Sequence, residues 1–236
     1  MRNPVALCAD AVAGWHTAWL TALGLRSESD VEAWRALDTP PQMYFGAITL
    51  RPDTGADSVV KAPGSVCDSW QTLDLTEFGL QVWRQDPWFH RPAGELGTPT
   101  PPELELVRVT TAEEVEELEA VSVRGFGNDE ATIEPGTVHP PSILDEPRMA
   151  LWLGRVNGKP VGASMGYRTD NAVGVFGVTT IASARRRGYG AALTAAAMLA
   201  DAGLPAVLAS SKDGERLYER LGFQRVGGLS IWIKAR

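Results

Sequence analysis

Apolar and polar positions alternate from Leu104 to Val109, the signature of a half-buried strand. Thr110 or Thr111 can cap the helix that follows, whose first turn carries Glu113 and Glu114 where the positive end of the helix dipole favours them. Residues 125–141 are loop-rich. Two apolar runs, Ala150–Val156 and Pro160–Tyr167, flank Asn157-Gly158, a hairpin turn signal. Val173–Ile181 reads as a further strand, Ala191–Ala200 as a small-residue helix and Leu204–Ala209 as a short buried strand. Gly214–Leu221 reads as a helix stopped by Gly222, and Phe223–Val226 and Leu229–Lys234 as two final strands paired with each other. Earlier in the chain, Ala11–Leu25 has helical spacing, with Trp15 and Trp19 one turn apart. Val31–Leu37 reads as a second helix, Tyr44–Leu50 as a strand, and Leu75–Trp83 as a helix that becomes a strand at Gly79. The sum is an α/β chain with a mixed sheet of the α+β kind.

Residues 91–103 (RPAGELGTPTPPE) hold four prolines and interrupt this pattern. Proline lacks the backbone donor that a helix or central strand needs. The stretch therefore reads as a linker between an N-terminal α/β segment, residues 1–90, and a second domain, residues 104–236. The apolar stretch Ala6–Leu25 is broken by Asp10 and His16 and lacks a basic leader, so it is expected to be a packed helix rather than a signal or a membrane span.

Composition narrows the function classes. Hydrophobic residues make up 44% of the 236 residues and charged residues 22%, as in ordinary globular proteins. The net charge of −7 argues against nucleic-acid binding, which needs an excess of Lys and Arg. It would suit a cationic substrate, as a weak pointer only. Cys8 and Cys67 form no CxxC pair, and His16, His90 and His139 have no ligand spacing, so no metal is expected. Two buried thiols in a reducing cytoplasm are favoured over a disulfide.

The segment that carries chemistry is Val178–Leu193, VTTIASARRRGYGAAL. A strand enters a loop, Arg185-Arg186-Arg187-Gly188-Tyr189-Gly190, and an alanine-rich helix follows. A helix N-terminus offers unpaired amides to an anion, and Gly188 and Gly190 let the backbone approach it closely. The arginines add positive charge. The segment alone also fits a tight strand-to-helix turn with solvated arginines. It has neither the GxxxxGK[ST] of a P-loop nor the GxGxxG of a dinucleotide fold. Downstream, Ser211–Phe223 (SKDGERLYERLGF) presents Tyr218 one turn before Gly222-Phe223; by itself this is a tyrosine on an ordinary helix.

Together the two segments resemble the GNAT superfamily of N-acetyltransferases. The family's R/Q-x-x-G-x-G/A loop is matched by Arg185, Gly188 and Gly190, its V-x-V strand imperfectly by Val178-Thr179-Thr180, and its A-x-x-L-Y-x-x-L-G-F helix by Gly214, Leu217, Tyr218, Leu221, Gly222 and Phe223. The resemblance implies a GNAT acyl-CoA N-acyltransferase fold for residues 104–236 and acetyl-CoA as cosubstrate. Backbone groups of Val178, Thr179 and Thr180 would take the pantetheine arm as an added strand. The loop Arg185, Arg186, Arg187, Gly188, Tyr189, Gly190 and Ala191 would hold the pyrophosphate, its amides from Arg186 to Ala191 as the cradle. Tyr218 would be the general acid to the leaving thiolate, and a strand amide near Val178 would stabilise the oxyanion.

The chain also departs from the family. Ser211 and Gly214 stand where Asn and Ala are frequent, and Ala182 stands where Pro is common. Asn171–Ile181 has no carboxylate, so the family's usual base is missing. Asp129, Glu130, Glu134 and His139, in the loop after Gly125, read as solvated residues rather than a base. Leu75–Val82 (LTEFGLQV) parallels Tyr218–Arg225 (YERLGFQR) and suggests a worn copy of the same fold in residues 1–90; coincidence over eight residues explains it equally well. Trp70, Trp83, Trp88 and Phe89 then read as core between the halves. The functional expectation is an acetyltransferase for a small-molecule or peptide amine, monomeric or homodimeric, without membrane or nucleic-acid partners. The alternative is a non-catalytic acyl-CoA sensor or interaction module.

Overall fold

The computed structural model describes residues 2–235. All the strands among the described residues belong to one mixed sheet of eleven, whose order follows only when the two ends of the chain are traced together.

The first half runs α1 (Pro4–Ala22), β1 (Ser27–Ser29), β2 (Ala33–Ala36), β3 (Ala47–Thr49), β4 (Val66–Asp68) and β5 (Leu80–Arg91). The helix starts earlier than its apolar spacing indicates, because Asn3 caps it by accepting from the Val5 amide and Pro4 occupies its first turn. The helix expected over Val31–Leu37 is instead a strand. Asp30 accepts from the amides of Glu32 and Ala33, which turns the chain and starts β2 opposite β1. Gly79 adopts a left-handed conformation after a short 3-10 turn, Thr76–Phe78, and the strand begins at the next residue. Trp88 and Phe89 are fully buried, whereas Trp83, expected in the core, is 60% exposed.

The second half runs β6 (Glu105–Arg108), α2 (Ala112–Phe126), β7 (Met149–Val156), β8 (Lys159–Arg168), β9 (Val173–Thr180), α3 (Tyr189–Met198), β10 (Ala206–Ala209), α4 (Glu215–Arg220) and β11 (Gln224–Lys234). Thr111 and Glu114 form a reciprocal capping box on α2. Asn157 and Gly158, both at positive φ, turn β7 into β8. The two final strands expected to pair with each other are one strand, β11. Its partner is β5, antiparallel from Gln224 opposite His90 to Lys234 opposite Leu80, so Gly227-Gly228 is paired strand and not a turn, with a bulge just before it at Val226.

Both halves contain a helix, then antiparallel strands, a crossover to a parallel strand and a last strand; the second adds β6 ahead of its helix and α4 ahead of its last strand. β3 and β4 are parallel, as are β9 and β10. Each half then gives its last strand to the other: β5 lies against β10, and β11 lies against β4. Proline-rich residues 92–104 run as irregular chain between β5 and β6, two strands of the same sheet. Trp88 and Val207 pack on the face that carries α1 and α2, while the adjacent Phe89 and Leu208 pack on the opposite face with Tyr218 of α4. No helix among the described residues is long and apolar enough to cross a membrane.

Candidate functional site: a parted pair of strands

β9 and β10 pair only at their first residues, Val173 with Ala206 and Gly174 with Val207. Beyond that point they separate, and β9 runs on to Thr180 with its other edge held by β8. Backbone groups on the freed edge of β9 are thus available to an extended ligand. Between Phe176 and Thr179, β9 has one residue more than β8, a bulge at Gly177-Val178 with Gly177 at φ +59°. The bulge turns the backbone at the point where the strands part. In the first half the equivalent gap is closed: the Ser69 amide donates to the Thr49 hydroxyl (2.8 Å) and the Ser69 hydroxyl to the Thr49 carbonyl (2.9 Å).

The loop after β9 is fixed by its own chain. Asp129 accepts from the amides of Ala182 (2.8 Å) and Ser183 (3.3 Å); these bonds, with Arg185 nearby, hold its carboxyl below the usual range. Arg185 donates to the carbonyls of Thr180 (3.3 Å) and Gly125 (2.9 Å), so its guanidinium braces the loop from behind. Arg186 sits at φ +63° and Gly188 at φ +83°; both are exposed with Arg187. Such a sequence of conformations turns successive amides toward one side. Gly188 precedes α3 and provides no side-chain cap. The Ala191 amide already donates to the Gly188 carbonyl (3.1 Å), so the open amides are those before it. Tyr189 is buried and its hydroxyl donates to Glu103 (2.9 Å), tying the loop to the chain ahead of β6.

Tyr218 stands on α4 with its ring against Phe89 and Phe223. It is 8% exposed, and none of the described hydrogen bonds uses its hydroxyl. Burial pushes its pKa up to about 12, so the phenol keeps its proton at neutral pH. Gly214, where the family often has alanine, leaves no room for one: a Cβ would lie 3.0 Å from the Tyr218 ring and 2.9 Å from Ser210 Oγ.

A family model described as an acetyltransferase (GNAT) domain matches residues 147–225, from the start of β7 to the start of β11. The chain carries a GNAT domain. Solved structures extend the likeness over both halves. A GCN5-related N-acetyltransferase from Kribbella flavida superposes with a TM-score of 0.65 at 22% identity, over 95% of this chain and 96% of that one. A GCN5-related N-acetyltransferase from Sphaerobacter thermophilus gives 0.58 at 13% identity, over 97% and 92%. A GCN5-related N-acetyltransferase-like protein from Streptococcus suis gives 0.54 at 18%, over 98% of each chain. At these identities the likeness is one of fold. No curated protein matches the sequence.

Two residues of the GNAT domain's surroundings differ from their sequence reading. His139 is not solvated: it is 2% exposed, its ring 4.5 Å from that of Trp19, and burial lowers its pKa to about 3. Glu119 has no role in the sequence reading, yet it organises the loop that carries His139. Fully buried, it accepts from the amides of Gly136 (2.6 Å), Val138 (2.6 Å) and His139 (2.8 Å). One signal was present: Glu119 lies among Val115, Leu118 and Ser122 on the buried stripe of α2, where a carboxylate needs partners.

Proposed function

We propose that this protein is an N-acyltransferase that moves an acetyl group from acetyl-CoA to a primary amine. The observation that carries the reading is the gap between β9 and β10, open on the β9 edge and leading to the glycine-turned amides ahead of α3. The free edge at Val178–Thr180 suits the amide-bearing pantetheine arm. The amides from Arg186 to Gly190 suit a pyrophosphate, with Arg186 and Arg187 adding charge. In the reaction the amine nitrogen attacks the thioester carbonyl carbon; the C–N bond forms, the C–S bond breaks, and the electron pair leaves with sulfur. Tyr218 donates its proton to that sulfur, and the surplus proton on nitrogen passes to solvent. A strand amide at the Gly177-Val178 bulge would stabilise the carbonyl oxygen, where negative charge develops.

Two buried, unpaired thiols, Cys8 and Cys67, fit a reducing cytoplasm. The lack of a carboxylate on β9 favours a second reading, an acyl-CoA sensor without turnover. Incubating the protein with acetyl-CoA and amines decides between them. Free thiol released in step with an acetylated amine, detected by mass, supports the transferase. Saturable CoA binding without thiol release supports the sensor.

A further inference from the structure

A cavity of about 830 Å³ lies between the two halves, separate from the loop ahead of α3. Gly177 of the β9 bulge forms part of its wall, so it opens at the place where the thioester would lie if the proposed reaction holds. Its size is that of a site for a drug-sized molecule. The first half contributes Trp15, Tyr44, Phe45 and Trp83, and the second contributes Phe126 and Phe176. Trp83 and Phe126 are 60% and 63% exposed, apolar surface left open to solvent.

Charge is what the wall lacks. None of its residues is Asp or Glu, in a chain of net charge −7. Its one cation, Arg84, is paired with Asp86 at 2.8 Å and lies over the Trp83 ring. The buried carboxylate behind the wall, Glu119, is consumed by three backbone amides. Apart from Arg84 the polar groups on the wall are neutral, and three of them, Trp15 Nε1, Ser122 Oγ and His139 Nδ1, are buried without a hydrogen-bond partner among the described residues. The wall thus offers no counter-charge for a polycation.

We infer that the cavity is the acceptor site and that it takes an amine with an uncharged, apolar body, of the arylalkylamine class, while excluding polycationic amines. The inference rests on the acyltransferase reading. It also explains how the reaction proceeds without a carboxylate base. An ammonium entering such a wall loses hydration, which favours its neutral form, and the neutral form is the nucleophile. Only the amine nitrogen need reach the bulge, and the apolar body fills the space between the aromatic rings.

The test is thiol release by the full chain from acetyl-CoA with phenethylamine and tryptamine against spermidine and an aminoglycoside. The expected kcat/KM is at least about 100-fold higher for the arylalkylamines, because a polycation leaves charges unpaired in the wall. Phe126→Glu, at an exposed position that tolerates polarity, should shrink that ratio by about tenfold or more. A preference for the polycations overturns the inference and leaves the acyltransferase intact. So does faster turnover of octanoyl-CoA than acetyl-CoA with phenethylamine inhibiting it, which would assign the cavity to the acyl chain. If no amine releases thiol, the acyltransferase reading fails. Phenethylamine binding followed by tryptophan fluorescence then judges the cavity alone: saturable quenching supports the apolar ligand class, and its absence overturns it.

Discussion

Replacing Glu119 tests whether one buried carboxylate builds the floor of the cavity. Its two oxygens hold three amides, at 2.6 Å, 2.6 Å and 2.8 Å. Glu119→Leu preserves bulk on the apolar face of α2 and removes every acceptor. Each buried amide left without a partner costs about 1–3 kcal/mol. Part of that is offset, because the variant no longer desolvates a carboxylate. The net loss expected is about 3–5 kcal/mol, the range for removing one partner of a buried charged group. In a chain of this size each kcal/mol lowers Tm by roughly 2–4 °C, so the fall should be roughly 6–20 °C. Glu119→Gln can keep one oxygen on the amides of Val138 and His139. It then turns its own NH₂ toward Gly136, so it should lose about 1–3 kcal/mol. Calorimetric melting ranks the two variants, and the near-ultraviolet circular dichroism of the Trp19–His139 contact reports whether the loop has let go. A leucine variant melting within about 2 °C of the parent, with that signal unchanged, would refute the account of this loop.

Three further perturbations probe the rest of the site. Tyr218→Phe should lower turnover by about 10²–10⁴ with CoA affinity nearly unchanged; lowered stability with unchanged turnover would make the tyrosine a packing residue. Its folded pKa is raised to about 12, so the contribution of its neutral form to stability is complete below the unfolded value near 10 and declines as pH rises through 12. Melting curves across that window should lose this slope in the phenylalanine variant. Gly190→Val should abolish acetyl-CoA binding in a calorimetric titration, since a Cβ there already lies 3.3 Å from Leu217 and the added methyls occupy the approach to the loop; Arg186→Ala, at an exposed position, should weaken it only modestly. Residues 104–236 alone lack β5, which leaves β10 and β11 without their shared partner, so this fragment should show no cooperative melt until residues 1–103 are supplied; a monomeric fragment that melts cooperatively would contradict the strand exchange.

Local features are legible along the chain. The Asn157-Gly158 turn, the threonine cap of α2, the glycine loop ahead of α3 and the helix that carries Tyr218 up to Gly222 depend on residues close together in the chain, so these elements are readable from spacing. The apolar spacing of β2 suits a short helix as well as a strand, and its pairing with β3 makes it a strand. Tertiary structure alone decided the rest. That β5 separates β10 from β11 depends on residues more than a hundred positions apart, and no local pattern encodes such a partner. The gap between β9 and β10 exists because nothing stitches their ends, while Ser69 and Thr49 close the equivalent gap in the first half. The burial of His139 and the work of Glu119 follow from one loop folding back onto α2. The cavity's neutral wall is a property of two halves meeting, since the carboxylates that give the chain its net charge were placed elsewhere by the fold.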